Sequence, residues 1–310
     1  MINFEREQKI LNICGIKIGG KIGENPTVLI GSIFTKGDKL VLNEKLGVIN
    51  KKEAERLIYY QKEISDMSGN PCMLDIAGIN KLTLQKCIDF VAGLTKDPFL
   101  LNAPTNIRIN LLKHLEEIGL IERLIYNSIN YTVIDNELLA IRKYNVKSAL
   151  IQSLNPRNPK INGMLDTLLG KDENTGLIKK AQMAGIKNLL LFTNVFELPT
   201  IGIASRGIYR LKQESGFPTG TAPTGIIGRW CLKNNTFNGD FKKACETTGS
   251  TLAQAMGADY IIYGTIKKAE YIFPAVAIVD AMIALNSRIS FKNKILNNKH
   301  PINKLYFPLN

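Results

Sequence analysis

Histidine is scarce in this chain: its 310 residues include two, His114 and His300. His114 sits in the helix-patterned LLKHLEEIGLIERL and His300 in a polar C-terminal stretch. Neither has a cysteine, histidine or carboxylate partner at metal-ligand spacing, which argues against a zinc site or a histidine-centred triad, and no metal is expected. The five cysteines (Cys14, Cys72, Cys87, Cys231, Cys245) include no C-x-x-C pair. An odd, scattered set does not make a disulfide framework, so plain thiols in or near the core are expected. No uninterrupted apolar run approaches the roughly 18 residues of a membrane span, and the opening MINFEREQKI lacks an apolar stretch of signal-peptide type. A soluble cytoplasmic protein without a membrane span is therefore expected.

Acidic residues are also in short supply, 27 against 40 Lys and Arg, for a formal charge of +13. The cations are spread along the chain and are densest in SRISFKNKILNNKH. One reading is attraction to an anionic partner, membrane surface or cofactor; the other is a solvated surface rich in Lys, Asn and Ile. No zinc finger or aromatic RNP segment accompanies the charge, so nucleic acid is not expected as a partner.

Short apolar runs alternate with helix-patterned segments. The expected strands cover 26–34 (PTVLIGSIF), 72–78, 98–104, 124–130, 148–155, 188–194, 217–222 and 259–265. Helical patterns follow each of them, from 51–67 (KKEAERLIYYQKEISDM) to the apolar FPAVAIVDAMIAL. Such alternation makes a parallel sheet, and runs apolar on both faces suit strands covered by helices. Eight units predict a closed TIM-type (β/α)8 barrel; an open α/β sheet would usually have fewer. Gly185, Gly216 and Gly257 each follow a helical run, where left-handed caps are expected. No Pro/Ser-rich linker divides the chain. A single domain is expected, with an N-terminal cap or hairpin (1–25), the barrel (26–287) and a loosely packed or partner-docking C-terminal extension (288–310).

Barrel chemistry lies at the C-terminal ends of the strands. Those positions carry Asp75, Asn102, Asn127, Ser128, Asn130, Gln152, Ser153, Asn155, Thr193, Asn194, Glu197, Thr219, Thr221 and Thr224. An amide offers a donor and an acceptor together, so such a ring suits a neutral heterocycle with both on its edge. Proton transfer by a strong acid or base has little support in this ring, where Asp75 and Glu197 are the only obvious candidates. Asn and Thr also cap helices and end strands, so each position taken singly admits that plainer role. No phosphate-loop or dinucleotide fingerprint is present, although GFPTGTAPTG is a loop where a phosphate or ligand tail could approach the backbone.

In order and spacing, PTVLIGSIF, SGNPCMLDIAG, KCIDFVAG, PFLLN, IYNSIN, GFPTG and GADYIIYGTIKKAEYIFPAVAIVDAMIA resemble the H-type subunits of tetrahydromethanopterin S-methyltransferase. The resemblance runs from about residue 4 to 284, and its family extends to bacterial methyltransferases that use methyltetrahydrofolate. It implies a pterin-binding barrel whose mouth holds N5-methyl-tetrahydromethanopterin or methyltetrahydrofolate as methyl donor. The methyl would pass to the cobalt of a corrinoid carried by a partner protein or a membrane methyltransferase complex, and a homodimer is implied by analogy. The resemblance carries over the strand-four asparagine as Asn127; taken together with the amide-rich mouth, Asp75 and Asn127 are the catalytic candidates, and Asn102, Asn127, Gln152, Asn194 and Thr224 the pterin-binding ones.

Three positions depart from what the resemblance implies. LLNA offers Asn102 where relatives read an acid, Thr193-Asn194 stands where an Asp is expected, and Thr224-Gly225 stands where an Asn is expected. An altered pterin, Asp75 as substitute acid, or a catalytically reduced pterin-binding or assembly protein would each accommodate them. A pterin-condensing synthase on the same barrel would need a phosphate-handling Lys and Arg near the last strands, where Lys267 and Lys268 alone are placed.

Overall fold

The strand-forming segments are runs of β-branched and large apolar residues ending in small or polar ones, and the intervening segments carry helix start and stop signals. Asn50 and Asn80 cap two helices by accepting hydrogen bonds from the amides of Glu53 and Thr83, both at 3.1 Å. Gly216 ends a helix in the left-handed region and Gly185 and Gly257 also have positive φ, as their positions in the sequence predict; Gly69 ends the helix Lys51–Ser68 in the same way.

The computed structural model describes residues 2–171, 174–233 and 238–305. Eight parallel strands close into one barrel: β1 (Val28–Ile33), β2 (Cys72–Ala77), β3 (Phe99–Asn102), β4 (Leu124–Ile129), β5 (Ser148–Gln152), β6 (Asn188–Thr193), β7 (Thr219–Thr221) and β8 (Tyr260–Thr265). Neighbours follow chain order all the way round, and β8 closes on β1 with Ile261 opposite Leu29. The expected (β/α)8 barrel is the fold observed.

The outer ring comprises α1 (Lys51–Ser68), α2 (Lys81–Leu94), α3 (Thr105–Glu117), α4 (Asp135–Lys143), α5 (Ile161–Leu169), α6 (Leu177–Met183), α7 (Thr200–Ser215), α8 (Thr224–Lys233), α9 (Asp240–Ala255) and α10 (Ala269–Phe291). A short α11 (Pro301–Leu305) follows. His114 links two of these helices, its Nε2 2.6 Å from Asp89 Oδ1 on α2.

Side chains alternate along each strand, so the two faces pack separately. Outward residues such as Ile76, Leu101, Tyr126 and Leu191 meet the helices. Inward residues from the lower halves (Ile30, Met73, Leu100, Ile125, Leu150, Leu190 and Tyr260) form a second cluster inside the barrel. Leu11, Ile13 and Ile18 join that inner cluster. They come from an N-terminal hairpin pairing Ile10–Ile13 with Ile16–Gly19, which stoppers the end of the barrel where the strands begin. Burying each of these side chains contributes roughly 1.5–3 kcal/mol.

One feature differs from the sequence reading. Residues 266–291 form one helix long and apolar enough, by length and composition, to cross a membrane. Counting only uninterrupted apolar residues passes over it because Glu270, Asp280 and Arg288 break the run. One side of this helix (Ile272, Phe273, Val276, Ala277, Asp280) is buried against the barrel, as in the core helix of a globular protein. Beyond it, among the described residues, 292–299 are half-buried or exposed, and 300–302 are buried. His300 is fully buried and Ile302 nearly so, the Leu296 amide bonds the Glu24 carbonyl, and burial lowers the His300 pKa to about 4.

Candidate functional site

The alternation that fills the lower barrel with apolar groups brings polar ones to its mouth. Two residues beyond Ile30, Met73, Leu100, Ile125 and Leu150 stand Ser32, Asp75, Asn102, Asn127 and Gln152, on the same inward face. Register keeps them level, with Ser32 opposite Asp75 and Asn102 opposite Asn127.

Asp75 is the centre of this layer. It is 1% exposed and accepts hydrogen bonds from Ser32 Oγ (2.8 Å), Asn102 Nδ2 (3.1 Å) and Asn127 Nδ2 (3.2 Å). Burial raises its pKa above the ordinary carboxylate value, and the three donors offset that only in part. No Lys, Arg or His forms an ion pair with it among the described residues. A carboxyl solvated by neutral donors in a buried setting is suited to holding a proton.

A second cluster continues from β4. Gln152 Nε2 donates to Ser128 Oγ at 2.7 Å, and Asn194 Nδ2 donates to Gln152 Oε1 at 3.1 Å. Asn194 Oδ1 and Ser153 Oγ are buried without a hydrogen-bond partner. Buried polar atoms are normally paired, so Asn194 Oδ1, beside Gln152, is an acceptor left open in this cluster.

Behind β3 and β4 the layer is braced by Arg108 of α3. This buried guanidinium donates to the carbonyls of Ala103 and Ser128, each one residue past a site asparagine, and to Thr105 Oγ1. Glu137 of α4 pairs with it at 2.8 Å and accepts from Tyr126 Oη at 2.7 Å. The two strand ends that present Asn102 and Asn127 are thus fixed to one cation.

The β6–β8 side is built differently. Thr193 and Thr221 spend their hydroxyls on backbone carbonyls of the neighbouring strands. Thr219 is not at the mouth: it begins the three-residue β7, where its amide donates to Asp259 Oδ2. Thr224 opens α8, fully buried, and its Oγ1 has no partner. Lys268 pairs with buried Glu246 at 2.9 Å, and Lys267 is exposed. Asn130 and Asn155 take the plainer role, accepting from backbone amides of their own turns, and Glu197 is exposed.

The structure therefore brings Asp75, Asn102 and Asn127 into one hydrogen-bonded cluster, and Gln152 and Asn194 into another joined to it through Ser128. Thr224 stands apart. Sequence reasoning missed Ser32, Arg108 and Glu246. Ser32 was within reach, because it lies two residues past Ile30 on the inward side; Arg108 and Glu246 sit in helical patterns that read as solvated faces.

Comparison with known proteins adds the family context. Residues 6–293 match the family model described as tetrahydromethanopterin S-methyltransferase MtrH subunit. The H-type subunit of tetrahydromethanopterin S-methyltransferase from Methanocaldococcus jannaschii is 35% identical, covering 92% of this chain and 94% of that protein. Its counterpart in Methanopyrus kandleri is 32% identical, covering 96% and 97%. Among solved structures, dihydropteroate synthase from Yersinia pestis aligns with a TM-score of 0.57 at 15% identity, over 88% of this chain and 98% of that one. At that identity the likeness concerns the barrel alone.

Proposed function

Because the chain belongs to the tetrahydromethanopterin S-methyltransferase MtrH family, we propose that its barrel mouth holds an N5-methyl-tetrahydropterin and gives up the methyl group to a corrinoid borne by a partner protein. The observation that carries this reading is Asp75, a buried carboxyl held by Ser32, Asn102 and Asn127 with its pKa raised by burial. When the N5–methyl bond breaks, its electron pair stays on nitrogen, a poor leaving group unless protonated or hydrogen-bonded. A protonated Asp75 would give its proton to N5 and recover it from water after the product leaves. Reduced cobalt on the partner would supply the nucleophile.

In this reading Asn102 and Asn127 orient Asp75 and share the pterin edge with Gln152 and Asn194, whose unpartnered Oδ1 offers an acceptor. Thr224 would line the far side. A corrinoid protein or a membrane methyltransferase complex would dock over the mouth, and a homodimer is part of the proposal. The test is single-turnover demethylation of methyl-tetrahydromethanopterin and of methyltetrahydrofolate with free cob(I)alamin as acceptor. Demethylation of one carrier is expected; failure with both sinks the reading.

A second reading, a catalytically reduced pterin-binding or assembly protein, is favoured by Asn102, an uncharged group hydrogen-bonded to the buried Asp75. It predicts carrier binding without turnover, and activity gained on Asn102→Asp combined with Gly225→Asn.

A further inference from the structure

We propose that Cys231 and Cys245 form a redox-modification site, a thiol pair that a small organic disulfide closes into a Cys231–Cys245 bond across helices α8 and α9. The site lies apart from the Asp75 layer and does not depend on the methyl-transfer reading.

A glycine on each helix lets the two come close. A Cβ on Gly249 would lie 2.3 Å from Ile227 Cδ1 and 3.5 Å from Pro223 Cβ, and one on Gly228 would lie 2.7 Å from Glu246 Oε1. Residues advancing along α8 therefore meet residues receding along α9, an antiparallel register. One turn beyond Gly228, that register sets Cys231 against Cys245. Both belong to one small apolar cluster, in which Cys231 is buried with Ile201 and Ile227 and Cys245 packs on from α9. Burial raises the Cys231 pKa above the ordinary thiol value, and Cys245, which shares a hydrogen bond with it, raises it further. The other cysteines lie elsewhere: Cys72 and Cys87 are buried in separate clusters, and Cys14 is exposed in the turn of the N-terminal hairpin.

Unequal exposure gives each thiol its part. Cys245 is half-buried, so it is the sulfur that a soluble disulfide reaches; Cys231 is fully buried beside it. In the first step the Cys245 thiolate attacks one sulfur of the disulfide RSSR, and RS⁻ departs with its electron pair. In the second, the Cys231 sulfur loses its proton and attacks Cys245 Sγ, expelling the other RS⁻. Lys242, beside Gly228, favours the Cys231 thiolate, and Glu246 disfavours it. Two protein thiols are oxidised to one disulfide, RSSR is reduced to two RSH, and the thiol protons go to the departing thiolates. Because Cys231 already touches its partner, the closing step is intramolecular and the mixed disulfide is short-lived.

Unfolding supplies one measurement. A bond between residues fourteen apart in the chain restricts the unfolded state, so oxidation should raise the thermal midpoint by roughly 5 °C. No rise is expected for Cys231→Ala treated in the same way. A midpoint unchanged or lowered by the bond would mean that it forms only by distorting the helix pair, and would overturn a site built into the native fold.

The decisive experiment is incubation of the folded, full-length protein with oxidised glutathione, followed by acid quench, intact mass and peptide mapping. A Cys14→Ser background removes the exposed thiol that would take an adduct of its own. The expected product is the cross-linked Cys231–Cys245 peptide pair, two hydrogens lighter than the thiols, free of glutathione and reversed by dithiothreitol. Adding Cys231→Ala should arrest the reaction at a stable Cys245–glutathione adduct, and adding Cys245→Ala should leave Cys231 unreacted. A lasting adduct on Cys245 with Cys231 present, or no reaction at Cys245, overturns the proposal.

Discussion

Asn102 donates to Asp75 across the β2–β3 pair, Nδ2 to Oδ2 at 3.1 Å, so the buried acid of the upper layer is in direct contact with the amide that stands where an acid is expected. Changing Asn102 to Asp would put two carboxyls within hydrogen-bond distance, and such pairs share a proton because both cannot ionise at low cost. The proton should then persist to higher pH. The expected outcome is a falling limb of the single-turnover pH profile displaced upward by about one unit or more. A limb that stays put would show that Asp75 is not the group being titrated.

Asp75→Asn removes the proton and keeps the shape. Loss of general-acid assistance should slow methyl transfer by about 10²–10⁴-fold. Carrier affinity should change far less, since Asn127, Gln152 and Asn194 remain. Rapid-quench kinetics beside calorimetric binding separates the two effects. Equal losses in both would assign Asp75 to binding, not to proton transfer.

Arg108→Met would leave Glu137 buried without its cation, a change that costs roughly 3–5 kcal/mol in comparable pairs. The double variant Arg108→Met/Glu137→Gln should recover part of that loss, because no charge is then stranded. Urea unfolding of the four proteins of this cycle measures the coupling. Strict additivity of the two single effects would remove the bracing role given to the pair.

Asp280, buried on α10, accepts from the amide and hydroxyl of Thr27 and from Asn70 Nδ2, and burial raises its pKa from 3.8 to about 6. With the folded pKa above the unfolded one, the group's favourable contribution is fully present below about pH 4. It is lost as pH rises through about 6. The difference in unfolding free energy between wild type and Asp280→Asn should therefore vary by on the order of 3 kcal/mol between pH 4 and 7. A difference that is flat over that range would mean that Asp280 is ionised in the fold at every pH tested.

The barrel was legible because its signals are local: strand-length apolar runs and helical periodicity repeated eight times, with αL glycines after some of the helices. The inward layer was legible for the same reason, since a period of two places Asp75, Asn102, Asn127 and Gln152 above apolar residues that must face the inner core. What the sequence hides depends on chain closure. Arg108 reads as a charge on an exposed helical face, yet it bonds carbonyls on two strand ends and a carboxylate 29 residues away. Asp280 looks like an interruption in an apolar helix, and only the closed ring brings Thr27 and Asn70 to it. Thr219 was misplaced because β7 is three residues long, which sets its first residue at the lower end of the barrel.

The N-terminal hairpin packs into the end of the barrel where the strands begin, which leaves the opposite end, where they finish, as the approach to the Asp75 layer. Under the proposed reaction the two reactants share that approach, which imposes an order on their arrival. The methyl carrier has to be seated first, and the partner that comes after it serves as a stopcock, preventing escape until transfer is done. Initial-rate patterns should then be those of compulsory-order binding, with excess partner protein trapping the empty barrel and slowing turnover.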